Sequence, residues 1–239
     1  KVQAALDPNG LDETFTFWAP LAPRTMFKGV AQVCPGEMVV LQGERLERRT
    51  YWRWEFPEAG SHRTAPEAQL QDELRDLLTD ATRIRLRADV PVGAYLSGGL
   101  DSSSLVALVN RIVPDLLRTF SIGFDDAGLD ETRHQRQMTE HLRTDNARIQ
   151  CSLADIAASF PDTIRHAESP VLRTAPTPMR LLSGLVRRSG IKVVLTGEGA
   201  DEVLGGYDIF KEAKVRQFWA RNPASAWRPA LLKRLYPYL

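Results

Sequence analysis

The spacing of apolar residues changes character along the chain. Before residue 57, the short runs MFKGVAQV, EMVVLQ and TYWRWEF are rich in β-branched and aromatic residues. The turn signals PG and QGER separate them, which predicts β structure. The polar stretch PEAGSHRTAPE follows and reads as a linker over 57–66. From Pro66 to Arg87 the apolar residues Leu70, Leu74, Leu77, Leu78, Ala81 and Ile84 recur at helical spacing. That pattern predicts a long amphipathic helix.

Beyond it the pattern alternates. The apolar run Val92 to Leu96 predicts a buried strand and Asp101 to Val113 a helix. RTFSIGF predicts a strand, Asp130 to Leu142 a helix, ARIQCS a strand and Ala154 to His166 a helix. Thr177 to Ser189 predicts a helix and Ile191 to Leu195 a second buried strand. Strands alternating with helices imply parallel βαβ units, hence an α/β fold with a doubly wound parallel sheet. The region from Arg216 onward, rich in Trp, Arg and Pro, reads as an incomplete helical region. The chain opens without Met and stops at RLYPYL without a tail, so truncation at both ends is expected.

Bulk properties narrow the class. The 239 residues suffice for one large domain, or one domain and a fragment. A hydrophobic content of 43% supports a core. The formal charge of +1 offers no broad basic field, so neither nucleic acid nor an anionic membrane is expected as a partner. Cys34 and Cys151 make no disulfide framework, which suits a reducing cytoplasm. No apolar run reaches the ~20 residues of a membrane span, and KVQAALDPNG carries no signal-peptide apolar segment.

Two loops carry candidate chemistry. In AYLSGGLDSSSL, residues 94–105, a buried strand enters a tight turn and then a helix. Gly98 and Gly99 permit a sharp turn and close ligand approach. Ser102 and Ser103 fall at the helix start, where they are expected to cap it. The first backbone N–H groups and the helix dipole favour an anion there. Hydroxyls of Ser97, Ser102 and Ser103 add donors for phosphate oxygens. Asp101 beside phosphate is repulsive unless a cation intervenes, which suggests Mg²⁺. The loop is not Walker A, because the lysine and the spacing are missing. In IKVVLTGEGADEVLGGYDIF a second strand enters a loop with Glu198, Asp201 and Glu202. Ligands of open α/β sheets bind beyond the strand C-termini at a switch point. If both loops lie there, Asp101 and Asp201 share the metal and Glu198 faces an acceptor.

SGGLDSS resembles the pyrophosphate loop of the N-type ATP pyrophosphatases, the PP-loop enzymes with an adenine-nucleotide α-hydrolase fold. They cleave ATP between the α and β phosphates. VPVGAYLSGGLDSS, TFSIGF, Asp130–Glu131, LRTAPTPM and TGEGADEVLGGY together resemble the glutamine-hydrolysing asparagine synthetases across essentially the whole chain. The resemblance implies ATP contacts at the main chain of Leu96, at the loop residues, at Ile122 and at Thr196 and Gly197. It implies magnesium at Asp101 and Asp201, and a role for Glu198 in forming or aminating a β-aspartyl-AMP intermediate. Arg173 and Thr177 are implied for the acceptor carboxylate, which an arginine fork suits. ATP, aspartate and glutamine or ammonia are the implied partners, and a homodimer is left open.

Residues 1–56 resemble the β-rich end of an Ntn-type glutaminase domain, with 67–239 an incomplete synthetase domain. The glutaminase nucleophile, an N-terminal cysteine, lies outside this sequence, so no glutamine hydrolysis is expected of it. Cys34 and Cys151 read as packed thiols, and neither Lys211 nor Lys214 is assigned a role. Tyr207 either lines the site or packs on its loop. Two alternatives stay open: a related PP-loop amidotransferase or β-lactam synthetase-like ligase that adenylates another acid, and a non-catalytic ATP-binding module. The histidines 62, 134, 141 and 166 lack zinc spacing. Arg83, Arg85 and Arg87 read as solvation of a helix end. Trp219, Trp227, Tyr236 and Tyr238 read as packing residues.

Overall fold

The computed structural model describes residues 3–58, 60–114 and 117–236. Two compact units emerge from the internal contacts. The first comprises Lys1–Leu77, Phe124–Leu129 and Ile149–Leu185, and the second Leu78–Gly123, Asp130–Arg148 and Val186–Leu239. The elements in chain order are α1 (Pro8–Phe17), β1 (Glu37–Gln42), β2 (Arg45–Thr50), α2 (Glu67–Arg85), β3 (Val92–Tyr95), α3 (Leu100–Ile112), β4 (Arg118–Phe124) and α4 (Thr132–Leu142). They continue with β5 (Asp145–Cys151), α5 (Leu153–Ala167), α6 (Pro176–Arg188), β6 (Val193–Leu195), α7 (Ala200–Leu204), α8 (Asp208–Ala220) and α9 (Ala230–Leu235).

One sheet has the strand order β5-β4-β3-β6. β3 pairs in parallel with β4 on one side, Gly93 opposite Arg118 and Tyr95 opposite Phe120. It pairs in parallel with β6 on the other, Val92 opposite Val193 and Ala94 opposite Leu195. The chain therefore steps outward from β3 through β4 to β5, then returns across β3 to place β6. In open α/β sheets such a reversal, here between β3 and β6, is where ligands bind, beyond the C-terminal ends of the strands. The core beneath it is Ala94, Leu96, Val106, Val109 and Leu117, with Leu105, Met138, Leu142 and Leu195 packed against it. Strand residues buried on both faces read as continuous apolar runs, which is why β3 stood out in the sequence.

The amino-terminal region departs from the expected β texture. α1 begins at Asp7, whose carboxylate accepts from the Asn9 N–H at 3.0 Å, with Pro8 in the first turn. Proline at that position loses no hydrogen bond and has its φ already set for a helix. MFKGVAQV forms only isolated bridges, Leu6 with Phe27 and Arg24 with Ala31. EMVVLQ does form β1, but its antiparallel partner is RLERRT, in register from Glu37 opposite Thr50 to Gln42 opposite Arg45. Of TYWRWEF only Thr50 belongs to that strand, and the rest lies beyond it. Its Trp52 and Trp54 meet edge to face at 4.8 Å, and Trp54 stacks on Phe56 at 5.9 Å. A two-residue hairpin link fixed the partner of β1, overriding the stronger aromatic propensity downstream.

Other expectations hold with shifted ends. The long amphipathic helix is α2, although Leu70, Leu74, Leu77 and Leu78 along it are exposed. β6 is an edge strand and less buried than its apolar sequence suggests, with Val193 exposed. The carboxy-terminal region is helical, as α8 and α9. There Trp227 packs on Phe218 and the Tyr236 hydroxyl donates to Glu212 at 2.7 Å, whereas Tyr238 lies outside the described residues. Arg83 pairs with Asp80 on α2. Cys151 is buried, which pushes its thiol pKa up, with the charges of Asp155 and Asp125 adding to the shift. Cys34 is only half-buried. Among the described residues no helix is long and apolar enough to cross a membrane.

Candidate active site

The site is built on the exit of β3. The Leu96 N–H donates to the Phe120 carbonyl at 2.9 Å, the last rung of the β3–β4 ladder. The Leu96 carbonyl accepts from the Ser121 hydroxyl at 2.7 Å. Ser121 in turn accepts from Asn146 Nδ2 at 3.0 Å, and the same amide donates to Thr119 Oγ1 at 3.0 Å. Ser121 and Thr119 are fully buried, so this polar chain from β5 through β4 to β3 is shielded from water. Buried hydrogen bonds of this kind hold an unpaired alternative at high cost, and so fix the backbone at Leu96.

The turn after Leu96 is stitched by its own hydroxyls. Ser97 Oγ and Ser102 Oγ lie 2.8 Å apart, and the Gly99 N–H donates to Ser97 Oγ at 3.2 Å. Ser102 does not cap α3 as expected. Its hydroxyl receives the Ser97 N–H and reaches back to the Gly99 carbonyl, both at 3.2 Å. The N-cap is Gly99, which has no side chain to offer. The N–H groups of the first turn therefore have no intrahelical or side-chain cap partner. Ser103 Oγ is buried without a partner among the described residues. Asp101 sits in that same first turn.

Gly98 has φ +90°, and a Cβ there would lie 2.8 Å from His134 Cβ and 2.9 Å from the Gln135 nitrogen. Both the backbone conformation and the approach of α4 require glycine. Gln135 is 1% exposed, and its Nε2 donates to the Ile122 carbonyl at 2.9 Å. α4 thus touches both the turn and the end of β4.

The second loop leaves β6 at Leu195. A Cβ on Gly197 would lie 3.1 Å from both Asp101 Cβ and the Ser102 nitrogen. The two loops are in van der Waals contact at the start of α3. Glu198 is exposed on this loop. Asp201 and Glu202 occupy the first turn of α7. The Gly206 N–H donates to the Asp201 carbonyl at 3.0 Å, and the Asp201 carboxylate lies over Gly206, where a Cβ would collide with Oδ1. Tyr207 donates to Glu202 Oε1 at 3.1 Å. That bond raises the phenol pKa, as do partial loss of water and then the charges of Glu202, Asp201 and Glu198. Three carboxylates thus act on one phenol. Among the described residues no three His, Cys, Asp or Glu side chains form a metal-holding group.

Of the residues expected from sequence, Leu96, Ser97, Gly98, Gly99, Asp101, Ser102, Ser103, Ile122, Thr196, Gly197, Glu198 and Asp201 all fall in one compact unit, on the loops and strand ends just described. Arg173 and Thr177 belong to the other unit. There the Arg173 guanidinium lies 3.8 Å over the Trp18 ring, and Thr177 is fully buried with Oγ1 unpartnered among the described residues. Sequence reasoning missed Ser121, Asn146 and Gln135. Ser121 lay inside a strand run, and the other two were single polar residues in ordinary helix and strand patterns.

Comparison with known proteins places the chain. Residues 73–238 match the family model described as asparagine synthase. The chain is 37% identical over 203 residues to the amidase chyE of Penicillium rubens, covering 79% of this chain and 30% of that protein. It is 30% identical over 220 residues to asparagine synthetase [glutamine-hydrolyzing] 1 of Bacillus subtilis, covering 92% of this chain and 34% of that one. Among solved structures, the NH3-dependent NAD synthetase from Campylobacter jejuni superimposes with a TM-score of 0.40 at 17% identity, covering 60% of this chain and 62% of the other. The chain spans about a third of the length of the curated relatives it matches. With that match extending from α2 to the carboxy-terminal residues, the chain belongs to the asparagine synthase family.

Proposed function

We propose that the complete protein is an ATP-dependent carbon–nitrogen ligase that amidates aspartate to asparagine through a β-aspartyl-AMP intermediate, releasing pyrophosphate and taking nitrogen from glutamine or ammonia. In this reading, residues 1–56 are the end of a glutaminase domain and 67–239 the ATP-binding part of the synthetase. The observation that carries it is the contact of Gly197 with Asp101 and Ser102 at the switch point. A glycine-bearing turn at an uncapped helix start is suited to phosphates, and an acidic loop pressed against it is suited to a metal-screened transfer.

A carboxylate is a poor electrophile. Adenylation turns its oxygen into a leaving group that an amine can displace. The protein's part is to hold acid and nucleotide in line and to screen charge. First-turn N–H groups of α3 and the hydroxyls of Ser97, Ser102 and Ser103 would receive the leaving phosphates. Leu96, Ile122, Thr196 and Gly197 would hold the rest of the nucleotide, and Glu198 would face the activated acid. Asp101 and Asp201 would hold Mg²⁺, which binds through one or two carboxylates plus phosphate oxygens. The donor set suits it: hard carboxylate oxygens carried by two loops that meet at Gly197. When bound, the ion neutralises charge on the departing pyrophosphate.

A second reading changes the acid and keeps the adenylation. Two relatives named as amidases, at 37% and 32% identity, support it. The test is an assay of the full-length protein with ATP, Mg²⁺ and ammonia, adding one carboxylic acid at a time. AMP and pyrophosphate that appear only with aspartate, and vanish in Glu198→Ala, support asparagine synthesis. The same products with another acid support the second reading. ADP and orthophosphate rule out both.

A further inference from the structure

α4 presents Gln135, Met138 and Leu142 on one inward stripe. Met138 and Leu142 pack against the apolar core, whereas Gln135, 1% exposed, brings a primary amide. Its Nε2 is paired with the Ile122 carbonyl at 2.9 Å, and its Oε1 is buried with no partner among the described residues. Packing alone would be served better by Met or Leu at this place, since an unpaired buried amide oxygen is unfavourable.

The ladder explains what the amide does. Leu96 donates to the Phe120 carbonyl at 2.9 Å. In a continued parallel ladder the next donor from this strand would be residue 98, and its acceptor would be Ile122. The chain instead turns away at Ser97–Gly99. The Gln135 side chain fills the acceptor that the turn abandons, while the Gln135 main chain holds Gly98 from the other side, with its nitrogen 2.9 Å from where a Cβ would stand. A single residue is thus wedged between the phosphate turn and the strand end from which that turn departs.

We propose that Gln135 is a positioning residue that sets the distance between the Gly98 turn and the Ile122 main chain, and through it the spacing at which a nucleotide is gripped by its phosphates and its base. This rests on the assignment of both segments to ATP. The wedge matters for a ligand that bridges the two segments and little for one that touches a single segment.

The test uses the full-length protein, wild type and Gln135→Met, with Mg²⁺ present. Dissociation constants are measured for α,β-methylene-ATP, AMP and pyrophosphate. The expected result is at least a tenfold weaker affinity for the triphosphate, with AMP and pyrophosphate each changed less than threefold. Equal changes for all three ligands, or none, overturn the proposal, because a general packing defect does not discriminate by ligand length. If Gln135→Met does not fold, Gln135→Leu decides by the same ratio, since its apolar side chain occupies the same place and cannot donate to Ile122. Failure of both variants to fold assigns Gln135 to stability alone and also overturns it. A wild-type protein that binds none of the three sinks the nucleotide assignment itself, which separates the two failures.

Discussion

Gly197 and Asp101 are in contact across the switch point of the sheet, so close that a methyl group on Gly197 would stand 3.1 Å from Asp101 Cβ. They come from loops almost one hundred residues apart in sequence, each following a strand that pairs with its neighbour in parallel. The contact fixes where an acidic loop meets an uncapped helix start.

Gly197→Ala should therefore perturb the site more than the fold. The neighbours it meets are the Ser102 nitrogen and the Asp101 main chain, which cannot swing aside as a flexible side chain would. Overpacking of this kind costs about 1–3 kcal/mol. The expected outcome is weaker ATP binding by roughly tenfold, since 1.4 kcal/mol is a factor of ten, with a small fall in Tm. Calorimetric titration and thermal melting of the same sample check both.

Ser121→Ala removes the donor to the Leu96 carbonyl and the acceptor of Asn146 together. The buried Leu96 carbonyl loses this partner, at about 1–3 kcal/mol, while Asn146 Nδ2 keeps its bond to Thr119. The variant should melt several degrees lower, and Ser121→Thr should recover most of the loss by restoring the hydroxyl. Chemical denaturation of the three proteins gives the comparison.

Tyr207 supplies a pH prediction with a definite sign. Its phenol pKa is raised, first by the hydrogen bond to Glu202 and then by lost hydration and neighbouring carboxylates. A raised folded pKa means that the neutral phenol is favoured. The contribution is complete below the unfolded value of 10.0 and disappears as pH rises through the higher folded value. The tyrosinate absorbance of wild type minus that of Tyr207→Phe should titrate above pH 10.0, and Glu202→Gln should bring the midpoint down. Addition of Mg²⁺ should lower it as well if the ion binds beside these carboxylates.

The sheet and both loops were legible in the sequence because each rests on local signals. An apolar run buried on two faces, then glycine and a helix start, reads the same wherever it occurs. Gly98 could be picked out because a glycine pair directly after a buried strand marks a sharp turn, and its φ is +90°. What stayed hidden depends on partners distant in the chain. The pairing of β1 with RLERRT was set by a short hairpin link and not by propensity. α1 was hidden inside a region of β-like composition, although Asp7–Pro8 at its start carried a cap signal. Ser102 looked like a cap and instead bonds Ser97, since the helix already starts at Leu100 with Gly99 as its N-cap. Gln135 and Asn146 gave no signal because their meaning lies in the acceptors opposite them, which only the packed sheet provides.

In the proposed reaction the carboxylate oxygen of the acceptor attacks the α-phosphorus of ATP, and isotope transfer reports that step. The full-length protein is given ATP, Mg²⁺, ammonia and aspartate labelled with ¹⁸O in its side-chain carboxylate. The products are read by mass spectrometry. One ¹⁸O in the phosphoryl group of AMP, with unlabelled pyrophosphate, is the predicted result. An ¹⁸O atom in orthophosphate beside ADP, or AMP without label, would contradict the account.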